Sequence, residues 1–377
     1  MINLVDNTLN SSDYEQIVKW IESKPDRFTQ HKYVKEFEKQ FSSYLGVKHS
    51  IFVNSGSSAI LAVLAVLKQK GVKRIVIPNL CWATDYSTAK LLDFDVVMVD
   101  CNIDDLSLDL DQLEYACKQY KAEAVLLVSV LGLVPNMFEI SKICENYNAT
   151  LIEDVAESLG SEFKGTKLGN FGELSIFSTY FGHHVSSIEG GFVCTNNDEL
   201  ANLTKMVKSH GWARELDPKL ESKLRKENEV DEFTSLYSFY KYGLNIRNTE
   251  FNAFVGLLNL KKLEEFVNKR EKNFQTYKKN IKNNRLSLKT RSEDLISNFA
   301  YPILSLNKDK LIKDLLTISE VRPLIAGDIT LHPFFDRRDR VIGNEISCEI
   351  HKNGFYIPNH PGITEVDILK LTEILNK

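Results

Sequence analysis

Two adjacent histidines, His183 and His184, stand in the stretch Ser175-Ile-Phe-Ser-Thr-Tyr-Phe-Gly-His-His-Val-Ser-Ser-Ile-Glu189-Gly-Gly191, between aromatic residues and a Gly-Gly pair. Imidazole titrates near neutrality, so one of them suits a general acid/base role. A metal site is the weaker reading, because neighbouring side chains in an extended segment point opposite ways. A second group is Asn54-Ser-Gly56-Ser57-Ser-Ala59, which joins a strand to a helix. Small residues let a ligand approach the backbone, and the free N–H groups of a helix start bind anions. Ser57 could equally be an ordinary N-cap. A third group is Glu153-Asp154-Val-Ala-Glu157-Ser158, which follows a strand. Ligands of open parallel sheets sit outside the carboxyl ends of the strands, where a carboxylate can hold a cationic heterocyclic nitrogen. Asp154 could instead cap a following helix, and Glu157 could be a first-turn helix acid.

The elements that must position these groups alternate. Ser50–Val53, Arg74–Pro78, Phe94–Val99, Ala124–Val130, Thr150–Glu153, Leu174–Phe177 and Gly191–Thr195 are short and rich in Val, Ile and Leu, with helix-length stretches between most of them. That predicts a mainly parallel sheet covered on both faces. Asp13–Lys24 and Lys32–Tyr44 have helical spacing, with Val18, Ile21, Phe37 and Phe41 as the apolar positions. Asp198–His210 is helical, 215–232 reads as an exposed loop or short surface helices, and Glu250 to about Ile281 reads as one long helix. A mixed strand and helix pattern follows, with Asn298–Leu304 and Lys308–Thr317 as its first members.

The chain has 377 residues and a formal net charge of -4. That charge argues against nucleic acid as a main partner. Nothing approaches the run of ~18 apolar residues that a membrane span needs, and the N-terminus lacks the basic-then-apolar pattern of a signal peptide. The six cysteines, Cys81, Cys101, Cys117, Cys144, Cys194 and Cys348, form no CxxC pair. They read as reduced thiols of a cytoplasmic enzyme, with no metal site.

An ordered series of motifs resembles the DegT/DnrJ/EryC1/StrS family, the sugar-modifying branch of the fold-type I pyridoxal phosphate enzymes. The series is Ser55-Gly-Ser-Ser-Ala, Trp82 after a strand, Glu153-Asp-Val-Ala-Glu-Ser158, Phe177-Ser178, Glu189-Gly-Gly, His210-Gly-Trp212, Leu244-Asn-Ile-Arg247 and Arg322-Pro323. One departure matters. Aminotransferases of the family carry a cofactor-linking lysine six residues before the Glu of Glu-Gly-Gly; here that position is His183, and no lysine occurs between Lys167 and Lys205. The resemblance therefore narrows to the sugar 3-dehydratases of the family that have histidine in the lysine's place. Met1-Ile-Asn3, Tyr33-Val-Lys35 and the double histidine extend it.

The resemblance implies an α/β, aspartate aminotransferase-like fold, with a large domain built on a mostly parallel seven-stranded sheet and a small α+β C-terminal domain. Residues 1–245 would hold the N-terminal segment and the large cofactor domain, and 246–377 the long helix and the small domain. The cofactor is pyridoxal 5′-phosphate, cycling with pyridoxamine 5′-phosphate. Asp154 is expected on the pyridinium nitrogen and Trp82 on the ring face. Gly56, Ser57 and Ser178 are expected on the phosphate, with Asn245 reaching it from the other subunit of a homodimer with a shared active site. Glu157 shapes the amino-donor site, and His210, Arg214, Arg247 and Arg322 are candidates for substrate or amino donor. His183 is the catalytic base, with His184 structural; His332 and His360 have no assigned role.

The implied reaction takes an amine from glutamate and expels the C3 hydroxyl of a nucleotide-diphosphate-linked 4-keto-6-deoxyhexose, in deoxysugar, O-antigen or capsule biosynthesis. An iron–sulfur dehydrase of the same fold needs clustered cysteines, which are lacking between Cys194 and Cys348. An atypical aminotransferase-family enzyme on another nucleotide sugar, or a non-catalytic sugar-nucleotide-binding homologue, remain the alternatives.

Overall fold

The computed structural model describes residues 1–377. Helices α1 (Ser11–Glu22) and α2 (Lys32–Leu45) precede strand β1 (His49–Val53). Helix and strand then alternate through α3 (Gly56–Gln69), β2 (Arg74–Pro78), α4 (Ala83–Leu91), β3 (Asp95–Val99), α5 (Leu110–Tyr120), β4 (Ala124–Val128), α6 (Met137–Asn146) and β5 (Thr150–Asp154). A small hairpin, β6 (Glu162–Phe163) and β7 (Thr166–Lys167), leads to β8 (Leu174–Ser178) and β9 (Gly191–Thr195). Four helices follow: α7 (Asp198–Lys208), α8 (Pro218–Glu227), α9 (Glu250–Leu260) and α10 (Leu263–Asn280). The last stretch contains β10 (Ala300–Leu304), α11 (Lys308–Leu315), β11 (Arg322–Pro323), β12 (Arg340–Val341), α12 (Glu345–Asn353), β13 (Gly354–Pro358) and α13 (Glu365–Leu375).

The main sheet runs β1-β9-β8-β5-β4-β2-β3-β12. It has eight strands where seven are expected. The additional one, β12, is only two residues long and pairs in parallel with Val97 and Met98 of β3. Two residues carry no readable period, so the sequence pattern does not announce it. Only β9 runs against its neighbours β1 and β8; the other pairings are parallel. β4, β8 and β9 are buried throughout, and β1, β2, β3 and β5 expose only their first residue in part, as strands covered on both faces should. A second, antiparallel sheet has the order β10-β13-β11.

An aromatic cluster seats α2 on the β1, β9 and β8 end of the sheet. Phe41 stacks on Phe192 at 4.0 Å, and Phe37 meets Phe52 and Phe192 edge-on at 5.0 and 4.9 Å. Truncating one such ring costs about 3–5 kcal/mol.

Two local expectations are corrected. The segment 250–281 is two helices, broken at Lys261–Lys262, where the Lys262 ammonium reaches the Asp13 carboxylate and the Thr8 carbonyl. The apolar period runs unbroken through this corner without Gly or Pro, so the sequence holds no stop signal. In α1 the buried residues are Asp13 and Trp20, whereas Val18 and Ile21 are half exposed. Trp20 stacks on Phe254 at 5.6 Å and so takes the anchoring role. The 215–232 segment is the surface helix α8, which buries no residue.

Candidate active site

A cleft of about 470 Å³ opens at the carboxyl ends of the parallel strands. β1 ends two residues before Ser55, β2 four before Trp82, β5 at Asp154 and β8 at Ser178. β9 runs the opposite way, so its entry, Glu189-Gly-Gly191, faces the same end of the sheet. Gly56, Ser57, Trp82, Asp154, Glu157, Ser178, His183 and Arg322 all line the cleft.

Ser55 is the N-cap of α3, with extended backbone and its hydroxyl accepting from the Ser58 N–H at 3.0 Å. Ser57 is therefore not the cap; its hydroxyl lies 3.2 Å from that of Thr84, at the cleft wall. The N–H groups of Gly56 and Ser57 have no acceptor in the chain, which is the anion-binding condition of a helix start. Close packing makes this cradle. A Cβ on Gly56 would come within 2.9 Å of the Ser178 Cβ, and one on Gly191 within 2.6 Å of the Ser55 carbonyl oxygen. Neither position has room for a side chain.

Asp154 ends β5, and no helix follows it. One of its oxygens accepts from the Ala156 N–H at 2.9 Å, in a turn rather than a helix cap. Glu157 lies in the same turn and accepts from the Leu131 N–H at 2.9 Å. Burial, with the nearby Asp154 charge adding to it, raises its carboxyl to about 8. Trp82 is 55% exposed at the cleft mouth, a free aromatic face beside these acids. Glu153 points elsewhere: it is fully buried and accepts from the Gly169, Phe171 and Gly172 N–H groups at 2.7 Å each.

The two histidines diverge across a series of bends, not along an extended strand. His183 turns toward the cleft and His184 is fully buried. His183 Nδ1 lies 2.7 Å from the Ala156 carbonyl oxygen. A carbonyl only accepts, so Nδ1 carries the proton and Nε2 keeps a bare lone pair. Burial lowers the His183 imidazolium to about 4, with the Arg270 cation adding to the effect. Arg270 is itself buried without a carboxylate partner and donates to the carbonyls of Asn298 and Asn359. His184 Nε2 donates to the Ser297 carbonyl at 2.8 Å and ties the loop to the chain ahead of β10.

The cofactor-site residues expected from the motifs thus converge, Asn245 excepted, and the fit to pyridoxal phosphate is chemical as well as spatial. There is a helix start with free donors for a phosphate and a buried carboxylate for a ring nitrogen. An open indole face stands beside them, and no lysine lines the cleft. Asn245, His210, Arg214 and Arg247 are not among its lining residues. They gather around Trp212: the His210 ring lies at 4.7 Å, the Arg214 guanidinium at 4.2 Å, and Arg247 at 5.8 Å while it donates to Asn245 at 2.9 Å. His332 donates to the Ala326 carbonyl at 2.7 Å, and His360 lines a separate cavity with Asn3 and Asp6.

Sequence reasoning missed several lining residues: Leu4, Val5, Thr84, Asp85, Tyr180, Glu320 and Tyr356. Leu4 donates its N–H to Glu320 at 2.9 Å, across 316 residues of sequence. No local pattern carries such a pairing. Asp85 had one available signal, an acid three residues after Trp82 in the first turn of α4.

The DegT/DnrJ/EryC1/StrS aminotransferase family profile matches residues 10–376. The chain belongs to this family. It is 31% identical, over all of this chain and 99% of the relative, to GDP-4-keto-6-deoxy-D-mannose 3-dehydratase of Yersinia pseudotuberculosis. It is 30% identical to the enzyme of the same name from Escherichia coli O55:H7, over 96% of each. A crystal structure of GDP-4-keto-6-deoxymannose-3-dehydratase with a trapped PLP-glutamate geminal diamine superposes with a TM-score of 0.90, at 28% identity and with full coverage of both chains. The family's α/β, aminotransferase-like architecture is thereby established for this chain. No helix is long and apolar enough to cross a membrane.

Proposed function

We propose that this family member is a pyridoxal 5′-phosphate-dependent lyase that removes the C3 hydroxyl of a GDP-linked 4-keto-6-deoxyhexose, with glutamate as amino donor, in deoxysugar biosynthesis. One observation carries the reading. The cleft has the donors and acceptors of a pyridoxal phosphate site but no lysine, and His183 faces it with a bare Nε2.

When bound, the cofactor supplies an electron sink and, in its amine form, the nitrogen that condenses with the sugar ketone. The chain supplies the rest. The Gly56 and Ser57 N–H groups and the Ser178 hydroxyl hold the phosphate. The Asp154 carboxylate holds the proton on the ring nitrogen, and Trp82 covers one ring face. His183 Nε2 takes the proton from C4′ and can return it to the oxygen leaving C3, which departs as water. A histidine moves that proton without bonding covalently to the cofactor carbon, which lysine would do. Glu157, held largely neutral by burial, shapes the end of the cleft where glutamate is expected.

The charges of the cleft argue for a shared site in a homodimer. Its acids are Asp85, Asp154, Glu157, Glu189 and Glu320, against the single guanidinium of Arg322. A nucleotide diphosphate needs more positive charge than that. The Trp212 cluster, with Arg214, Arg247 and Asn245, is placed outside this cleft and fits the supply of that charge to a partner's cleft. The free thiols suit the cytoplasm.

The test is to incubate the protein with pyridoxal phosphate, glutamate and GDP-4-keto-6-deoxymannose. Formation of 2-oxoglutarate and loss of the C3 oxygen, followed by NMR, are expected. Borohydride should leave the protein mass unchanged. An amino sugar with its C3 hydroxyl intact, or a reduced pyridoxyl adduct on a lysine, would overturn the proposal.

A further inference from the structure

Asp85 lies in the first turn of α4 and is completely buried, yet it lines the cleft beside Asp154. One of its oxygens accepts from the Trp82 N–H at 3.1 Å. The other is buried with no hydrogen-bond partner, and the Asp154 carboxyl, also buried and lining the same cleft, lies near enough for its charge to raise the proton affinity of Asp85. Two carboxylates cannot hydrogen-bond to each other, but a carboxyl that keeps its proton can donate it to the other and satisfy the unpartnered buried oxygen. Burial of a carboxyl without compensation favours the neutral acid. Asp85 is the deeper of the two, and the other groups facing it are Cys81, whose thiol burial keeps neutral, and Glu157, which further disfavours its charge.

We propose that Asp85 is a positioning residue that keeps its proton and donates it in a hydrogen bond to Asp154, holding Asp154 as the anion that faces the cofactor's ring nitrogen. This rests on the reading of the cleft as a pyridoxal phosphate site. The charges then balance: two carboxyls share one proton and carry a single negative charge against one pyridinium. A hydrogen bond from Asp85 also lowers the proton affinity of Asp154. The proton between Asp154 and the ring therefore stays on the ring nitrogen, where it makes the ring electron-deficient. Asp85 touches neither substrate nor cofactor in this scheme; it acts through Asp154.

Two measurements test this. The first uses the cofactor-free protein, so it is independent of the enzymatic reading. In a Glu157→Gln background, which removes the other neutral carboxyl of the cleft, infrared difference spectroscopy at neutral pH should show the carbonyl band of a buried, protonated carboxylic acid that shifts on deuteration, and adding Asp85→Asn should abolish it. The second uses pyridoxal phosphate labelled with nitrogen-15 in the ring. Asp85→Asn still donates to Asp154, so its ring-nitrogen shift should stay at the protonated position, with affinity within a few-fold of the parent. Asp85→Leu has similar size but no donor. It should move the shift toward neutral pyridine and weaken binding roughly 10-fold, the scale of one hydrogen bond to a charged group. Asp85→Ala serves as the donor-less variant if the leucine protein does not fold. A purely structural role predicts the same ring-nitrogen shift in the asparagine and donor-less variants. That result, or the absence of the acid band, overturns the proposal. Failure to bind pyridoxal phosphate while the band is present counts against the cofactor reading instead.

Discussion

The imidazole of His183 donates from Nδ1 to the main-chain carbonyl of Ala156, 2.7 Å away. Ala156 is also the residue whose N–H holds Asp154. One peptide segment therefore orients both the expected base and the expected partner of the cofactor ring. The carbonyl selects the tautomer in which Nε2 is free, and the N–H fixes which carboxylate oxygen remains for the ring.

Replacing His183 with Asn should retain cofactor binding and reduce C3 deoxygenation by ~10²–10⁴-fold, the usual effect of losing a general acid/base. His184→Asn should lower stability through its lost bond to Ser297 but leave proton exchange at C4′ of pyridoxamine phosphate intact. Deuterium exchange in the two variants decides the assignment. Exchange that stops in the His184 variant and persists in the His183 variant reverses the roles.

The pH profile should report the depressed imidazole. His183 must be neutral to act as a base, and its protonation lies at about 4. Activity should therefore hold as pH falls through 6.5, where an ordinary histidine would protonate, and be lost only as pH approaches 4. Arg270→Met removes a buried cation that disfavours the imidazolium and should move this limb upward. A limb near 6.5 in the unaltered protein, measured as kcat/KM, would contradict the burial argument.

Glu157 gives a stability prediction of definite sign. Its carboxyl sits at about 8 in the folded chain against an ordinary 4.5. Between these values the folded state holds a proton that the unfolded chain has released, so stability declines as pH rises from about 4.5 to 8. In the cofactor-free protein, Glu157→Gln should remove that decline, with a difference on the order of a few kcal/mol at the alkaline end. Urea denaturation at pH 5 and pH 8 measures it. Parallel losses in both proteins would mean that Glu157 ionises normally.

Subunit mixing tests the shared site. If Asn245 serves the partner's cleft, Asn245→Ala and His183→Asn are each defective, yet a mixed dimer holds one cleft free of both changes. Unfolding the two variants together and refolding them should restore part of the activity. A mixture as inactive as its components would place Asn245 in its own subunit's chemistry, or in none.

Much of the site was legible because its parts are local. Ser55 to Ala59, Asp154 to Glu157 and Ser178 to Glu189 each lie at a strand end, where short-range pattern and topology both point to a ligand. The double histidine was resolvable by register alone, although the physical reason differs: a chain of bends, not strand alternation, turns His184 away. What stayed hidden depends on distant pairing. Leu4 meets Glu320, and Tyr356 joins the cleft from β13. Asp85 carries only a weak local signal, because an acid in a first helical turn is ordinary; its complete burial in the cleft that also holds Asp154 is what makes it unusual. Lys261–Lys262 breaks the helical run by tertiary attachment to Asp13, which no propensity records.

The two residues of β12 limit how the protein can move. They clip the later part of the chain onto β3, and neighbouring ties reinforce the clip. Lys90 and Tyr86 each bond to Asp339 at 2.6 Å, and Asp100 accepts from the Ile346 and Ser347 N–H groups at 2.9 Å. A hinge that swung this region away from the sheet would have to break all of them at once. Any opening and closing around a substrate is therefore left to parts of the cleft outside these ties, among them Leu4, Val5, Glu320 and Arg322. The same clip occupies the free edge of β3, which would otherwise offer unpaired peptide groups to another chain.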